Sequence, residues 1–121
     1  MRKVTGFAAL LLAACFLFAY SSQLLADDAV KVAPDHYKVL LENEKVRVLE
    51  FNGKKGDTIA PHSHPNLVVY FLDDGKAKFT GSDGKAVEMD MKKGQVEWRP
   101  AETHTVECLT NMHGILVELK Q

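Results

Sequence analysis

From Lys38 to the end, the chain is a succession of short apolar runs and alternations separated by turn residues, the pattern of strands. Val39-Leu40-Leu41 opens it, and Asn43-Glu44 turns the chain into Val46–Phe51. Asn52-Gly53 and Lys55-Gly56 are turn signals. Leu67–Leu72 is apolar without alternation, which predicts a strand covered on both faces. Asp73-Asp74-Gly75 predicts a tight hairpin, with Ala77–Thr80 pairing back. Val87, Met89 and Met91 then alternate with Glu88, Asp90 and Lys92, and Val96 and Trp98 alternate with Glu97 and Arg99. In Thr103–Thr110, His104, Val106 and Cys108 share one face. Asn111-Met112-His113-Gly114 reads as the last turn, with a turn role for His113, and Ile115–Leu119 closes the chain. No stretch after residue 26 has a helical period, so the expected class is all-β, a sandwich or barrel of short strands.

The remainder of the chain reads differently. Residues 27–37 mix charge, Pro34 and small side chains and are expected to form an N-terminal arm, with His36 solvated. Residues 1–26 have the pattern of a secretion signal. Arg2 and Lys3 are followed by an apolar run from Phe7 to Tyr20, then by Ser21, Ser22 and Gln23, with cleavage expected after Ala26. Two other readings of this segment stay open. Leu12-Ala13-Ala14-Cys15 resembles the lipobox of bacterial lipoproteins, although Phe16, Leu17 and Phe18 continue the apolar run past the cysteine. An uncleaved anchor is the other, from a run somewhat shorter than the ~20 residues a spanning helix needs. The expected location is therefore periplasmic or secreted, and contact with a membrane would come only through this segment, uncleaved or lipidated at Cys15.

Without residues 1–26 the chain loses two of its fifteen basic residues and none of its sixteen acidic ones, leaving a net charge of −3. That balance argues against nucleic acid as a partner. Cys108 is then the sole cysteine, so no internal disulfide forms, and a buried thiol is the expectation.

The chemistry concentrates at His62 and His64, one residue apart ahead of the apolar run. In extended backbone both imidazoles leave on the same face. Two neutral imidazoles converging on one point suit a metal ion at roughly 2.0–2.1 Å from each nitrogen. His104, at the start of a later strand, is the third candidate ligand. Glu102 shares the His104 face if the backbone there is extended, and a solvated rim position is expected for it. Cys108 lies about 13 Å along the strand from His104, too far for joint ligation. Tyr70 and Trp98 are candidate cavity walls.

These residues resemble the cupin superfamily over residues 38–121. Gly56, His62, His64 and Gly75 fall in the places of the family's first motif, with Val68 in the place of its glutamate. Gly94 and Pro100 match the second motif. Glu102 stands where it has glycine, His104 comes one residue early, and Cys108 replaces its asparagine. The resemblance implies a double-stranded β-helix, or jelly roll, of the RmlC-like type. It also implies a divalent metal held by His62, His64 and His104, and a cavity lined from Val68, Tyr70, Trp98, Glu102 and Cys108. Similar small cupins form homodimers through an outer sheet, and several three-histidine cupins are iron(II) dioxygenases acting on small thiols or diketones. Iron is accordingly the expected metal. Imidazole ligands alone leave zinc, nickel, copper and manganese open.

Three functions fit: a metal-dependent dioxygenase acting on a small molecule, a non-catalytic metal- or ligand-binding module of the cell envelope, or a partner-binding cupin whose histidines are remnants. No general base is identifiable from the sequence.

Overall fold

The computed structural model describes residues 27–121, so the expected signal segment lies outside the described residues. Among the described residues a single helical turn, α1 (Ala29–Val32), precedes nine strands. These are β1 (Tyr37–Glu42), β2 (Val46–Gly53), β3 (Thr58–His64), β4 (Leu67–Phe71), β5 (Gly75–Gly81), β6 (Ala86–Met91), β7 (Val96–Arg99), β8 (Glu102–Cys108) and β9 (Met112–Leu119). They form two antiparallel sheets, one ordered β1-β2-β9-β4-β7 and the other β3-β8-β5-β6. Alternate side chains of both sheets meet in one core that includes Leu49, Ile59, Leu67, Val69, Met91 and Val106. Each large apolar side chain buried there contributes roughly 1.5–3 kcal/mol.

Four expectations are corrected. Asp73-Asp74-Gly75 does not make a hairpin. β4 pairs with β7 and β9, whereas β5 pairs with β6 and β8, so this turn carries the chain from one sheet to the other. The Leu67–Leu72 run is buried on one side only: Leu67, Val69 and Phe71 face the core, while Tyr70 stands 44% exposed. His113 lies inside β9, opposite Asn52, and its Nε2–H donates to Glu50 Oε2 at 2.7 Å. The arm is a packed element. Ala29, Ala33 and Tyr37, spaced at four-residue intervals, are all buried. His36, half-buried, stacks on Phe51 and donates from Nε2 to Asp57 Oδ2 at 3.1 Å.

The arm also covers the open edge of β3. Asp28 bridges Ser63 in parallel, and the Ser63 N–H donates to the Asp27 carbonyl at 2.9 Å. An edge strand leaves such groups unpaired, so a neighbour that pairs with them protects the edge. Gly56 and Gly94 have φ of +92° and +85°, turn conformations that a side chain disfavours, which accounts for glycine at both positions.

Candidate metal centre

The two histidines of β3 reach the core through a bulge. Ile59 pairs with Val106 and His62 with His104, so β3 spends one residue more than β8 across this interval. The extra residue shifts the inward side, and Ile59, His62 and His64 all end up buried. Pro61, which has no N–H to offer the ladder, sits within the irregular stretch. On β8 plain alternation suffices: His104, Val106 and Cys108 point inward.

His62, His64 and His104 are respectively 0%, 5% and 5% exposed, and each offers a ring nitrogen within 4.8 Å of the others. Their second nitrogens are all engaged. Nδ1–H of His62 donates to the Ala60 carbonyl at 2.8 Å, that of His64 to Glu118 Oε2 at 2.8 Å, and that of His104 to Glu102 Oε1 at 3.0 Å. A proton on Nδ1 leaves the lone pair on Nε2, so each hydrogen bond fixes both tautomer and ring orientation.

The carboxylates are held in turn. Arg47 Nε donates to Glu118 Oε1 at 2.8 Å, while its Nη1 donates to Asp28 Oδ2 at 2.8 Å and its Nη2 pairs with Asp28 Oδ1. A continuous chain thus runs from the arm through Arg47 and Glu118 to His64. Glu102 is tied to Arg99, whose Nη2 donates to Glu102 Oε1 at 2.9 Å and whose guanidinium lies 4.7 Å over the Phe79 ring. Burial would raise the Glu102 pKa, but the hydrogen bond and charge of Arg99 outweigh it and hold that carboxyl below its usual range. Burial, reinforced by the neighbouring His62, depresses His104 to about 4, and burial lowers His62 as well. Both are therefore neutral at pH 7, the form a metal needs.

A cavity of about 60 Å³ opens beside the imidazoles, walled by Leu67, Val69, Phe71, Phe79 and Val106 and touched by His64 and His104. Arg99, Pro100 and Glu102 line both this cavity and a depression on the outer surface, and so form the partition between them.

Solved structures share this architecture. A cupin domain from Bordetella pertussis Tohama I is 25% identical, with a TM-score of 0.64 over 70% of this chain and 92% of its own. An RmlC-like cupin protein from Desulfovibrio desulfuricans is 18% identical, with a TM-score of 0.51 over 98% of this chain and 97% of its own. A cupin superfamily protein from Desulfitobacterium hafniense is 17% identical, with a TM-score of 0.55 over 70% of this chain and 76% of its own. The chain has the cupin fold. No family model matches the sequence, and no curated protein matches it.

Within the cupin barrel the structure brings His62, His64 and His104 together and places Glu102 at the cavity, bonded to His104 and one-third exposed. Cys108 is buried but lies away from the cavity, against Gly53 and Phe51. Four expected cavity walls are corrected: Cys108, which does not line the cavity, and three residues of β4 and β7. Val68, Tyr70 and Trp98 lie on the outer face of the five-stranded sheet, where Val68 pairs with Trp98 and the Trp98 side chain stands 56% exposed. The parity of β7 is the cause: its inward side carries Glu97 and Arg99, because Arg99 stacks on Phe79 and pairs with Glu102 at the partition. In β4 the inward position is Val69, one residue past the place assigned by the motif. The barrel lacks the family's carboxylate ligand in either register.

Sequence reasoning missed Tyr37, Arg47, Arg99 and Glu118. One signal was available for Glu118: it interrupts the apolar run of β9 at an inward parity, two residues after buried Leu116. The donor set of three pre-oriented imidazoles fits a transition-metal ion that accepts nitrogen ligands.

Proposed function

We propose that this is an exported small cupin in which His62, His64 and His104 hold one divalent ion, and that with iron(II) it acts as a dioxygenase on a small chelating molecule. The observation that carries this reading is the engagement of all three Nδ1 atoms, which leaves three Nε2 lone pairs to share one place. Iron held only by neutral nitrogen ligands supplies a redox-active cation with open positions for exogenous ligands. The chain's own residues do the rest. Glu118 and Glu102 keep the Nδ1 protons of His64 and His104 in place. Leu67, Val69 and Val106 keep water out of the cavity, and the Arg99–Glu102 pair stands at its mouth.

A second reading, capture of a metal with a ligand of few atoms and no turnover, is favoured by the small cavity, about 60 Å³. The test is metal analysis of protein purified without a histidine tag, then oxygen uptake with a panel of small thiols and diketones. Stoichiometric iron with uptake is the expected result. Metal without uptake supports capture, and a site that stays empty after incubation with iron(II), zinc and nickel rejects both readings.

A further inference from the structure

Tyr37 is a polar side chain at the heart of the site that no motif calls for. It is the first residue of β1 and 4% exposed, and its hydroxyl lies 3.2 Å from Nε2 of His62. The direction of that hydrogen bond is fixed. Nδ1 of His62 faces a carbonyl, which only accepts, so Nδ1 carries the proton and Nε2 the lone pair. The phenol therefore donates.

That same lone pair is the one His62 would give to a metal. Loading the site takes away the acceptor of the Tyr37 hydroxyl, and among the described residues the hydroxyl has no other hydrogen-bond partner. Neither nearby carboxylate takes the hydroxyl's proton: Glu118 accepts from His64 and Arg47, Glu102 accepts from His104 and Arg99 through Oε1, and neither is hydrogen-bonded to Tyr37. Buried polar groups left without a partner are rare and costly. The new acceptor has to arrive with the ion, on the face of the site that Tyr37 occupies.

We infer that Tyr37 donates a hydrogen bond to the atom through which an exogenous ligand coordinates the metal, so that the site selects small anions whose coordinating atom keeps a free lone pair. Azide, formate and hydroxide have such an atom. Ammonia and other amines do not, because coordination uses their only lone pair. The small cavity limits the ligand to a few atoms beyond the coordinating one. The inference rests on the metal reading above and adds the class of ligand to it.

The test uses the cobalt(II)-loaded protein, with azide as the probe and the visible cobalt spectrum as the readout, for wild type and Tyr37→Phe. Cobalt affinity is measured first. Tyr37→Phe is expected to hold cobalt at least as tightly as wild type, since the competing donor on His62 is gone, and to bind azide about ten-fold more weakly. A merely structural role for the hydroxyl would instead weaken cobalt binding and leave azide affinity unchanged, and that result overturns the inference. So does a phenolate-to-metal charge-transfer band in copper(II)-loaded wild type that vanishes in Tyr37→Phe, because Tyr37 would then be a ligand and not a donor. If Tyr37→Phe does not fold, the infrared stretch of azide on the wild-type cobalt protein decides. A band that moves on transfer to D₂O supports the donor, and a band that does not move overturns it. Failure of wild type to take up cobalt removes the metal reading itself and is seen before azide is added.

Discussion

Val69 turns its side chain into the cavity, while Val68 beside it points to the outer surface. A carboxylate at residue 69 would add negative charge beside the three imidazoles, and one at residue 68 would meet solvent. Val69→Glu is therefore expected to raise zinc affinity about ten-fold or more, with Val68→Glu close to wild type, as measured by competition with a chromophoric chelator. The depressed imidazoles give a second expectation at this scale. Unfolded histidines titrate near ~6.5, whereas His104 in the fold does so at about 4, with His62 also lowered. Between those pH values the unfolded chain binds more protons, so stability falls as pH drops through the window and levels off below it. The Tm of the metal-free protein should decline from pH 7 to pH 4, and His104→Gln should flatten part of that slope. Metal binding follows the same logic at these two ligands: protons compete for His62 and His104 only below the pKa of a free imidazole.

The arm shows what the sequence concealed at the level of elements. Its charge and Pro34 read as a linker, while the four-residue spacing of Ala29, Ala33 and Tyr37 was too short a pattern to announce packing. Yet the arm ends a line of charged groups running from Asp28 through Arg47 and Glu118 to His64. Glu118 is 2% exposed, so Arg47→Ala leaves a buried carboxylate without its cation and should cost about 3–5 kcal/mol of stability. Asp28→Ala removes only the outermost link and should cost about 1 kcal/mol, with zinc affinity falling several-fold as His64 loses orientation. Denaturation and zinc competition on the same variants check both. The strands were legible because alternation and turn residues report burial directly, and β8 matches its sequence reading closely. The partnering of strands was not. Asp73-Asp74-Gly75 marks a reversal, but nothing local says whether the chain returns to its own sheet or crosses to the facing one. Likewise the parity of β7 depends on Arg99 reaching Phe79 and Glu102, contacts far from it in sequence or set by the mouth of the barrel.

At the scale of the whole molecule, the spaced glycines and the two histidine-bearing strands sufficed to indicate the barrel and its three imidazoles. The bulge at Pro61 and the groups behind the imidazoles required the tertiary structure. One further feature of the interior has a practical use. Cys108 is wholly buried, its thiol is pushed up to about 11 by burial, and a methyl group on Gly53 would come within 2.6 Å of its sulfur. A reagent such as iodoacetamide cannot approach an atom so enclosed while the two sheets stay together, and the thiolate it needs is scarce there. In a Cys15→Ser background the alkylation rate of residue 108 should therefore clock how often the sheets part, and saturating metal should slow it in proportion to the stability gained. A rate near that of a free thiol in the native protein would show that the barrel opens far more readily than its packing implies.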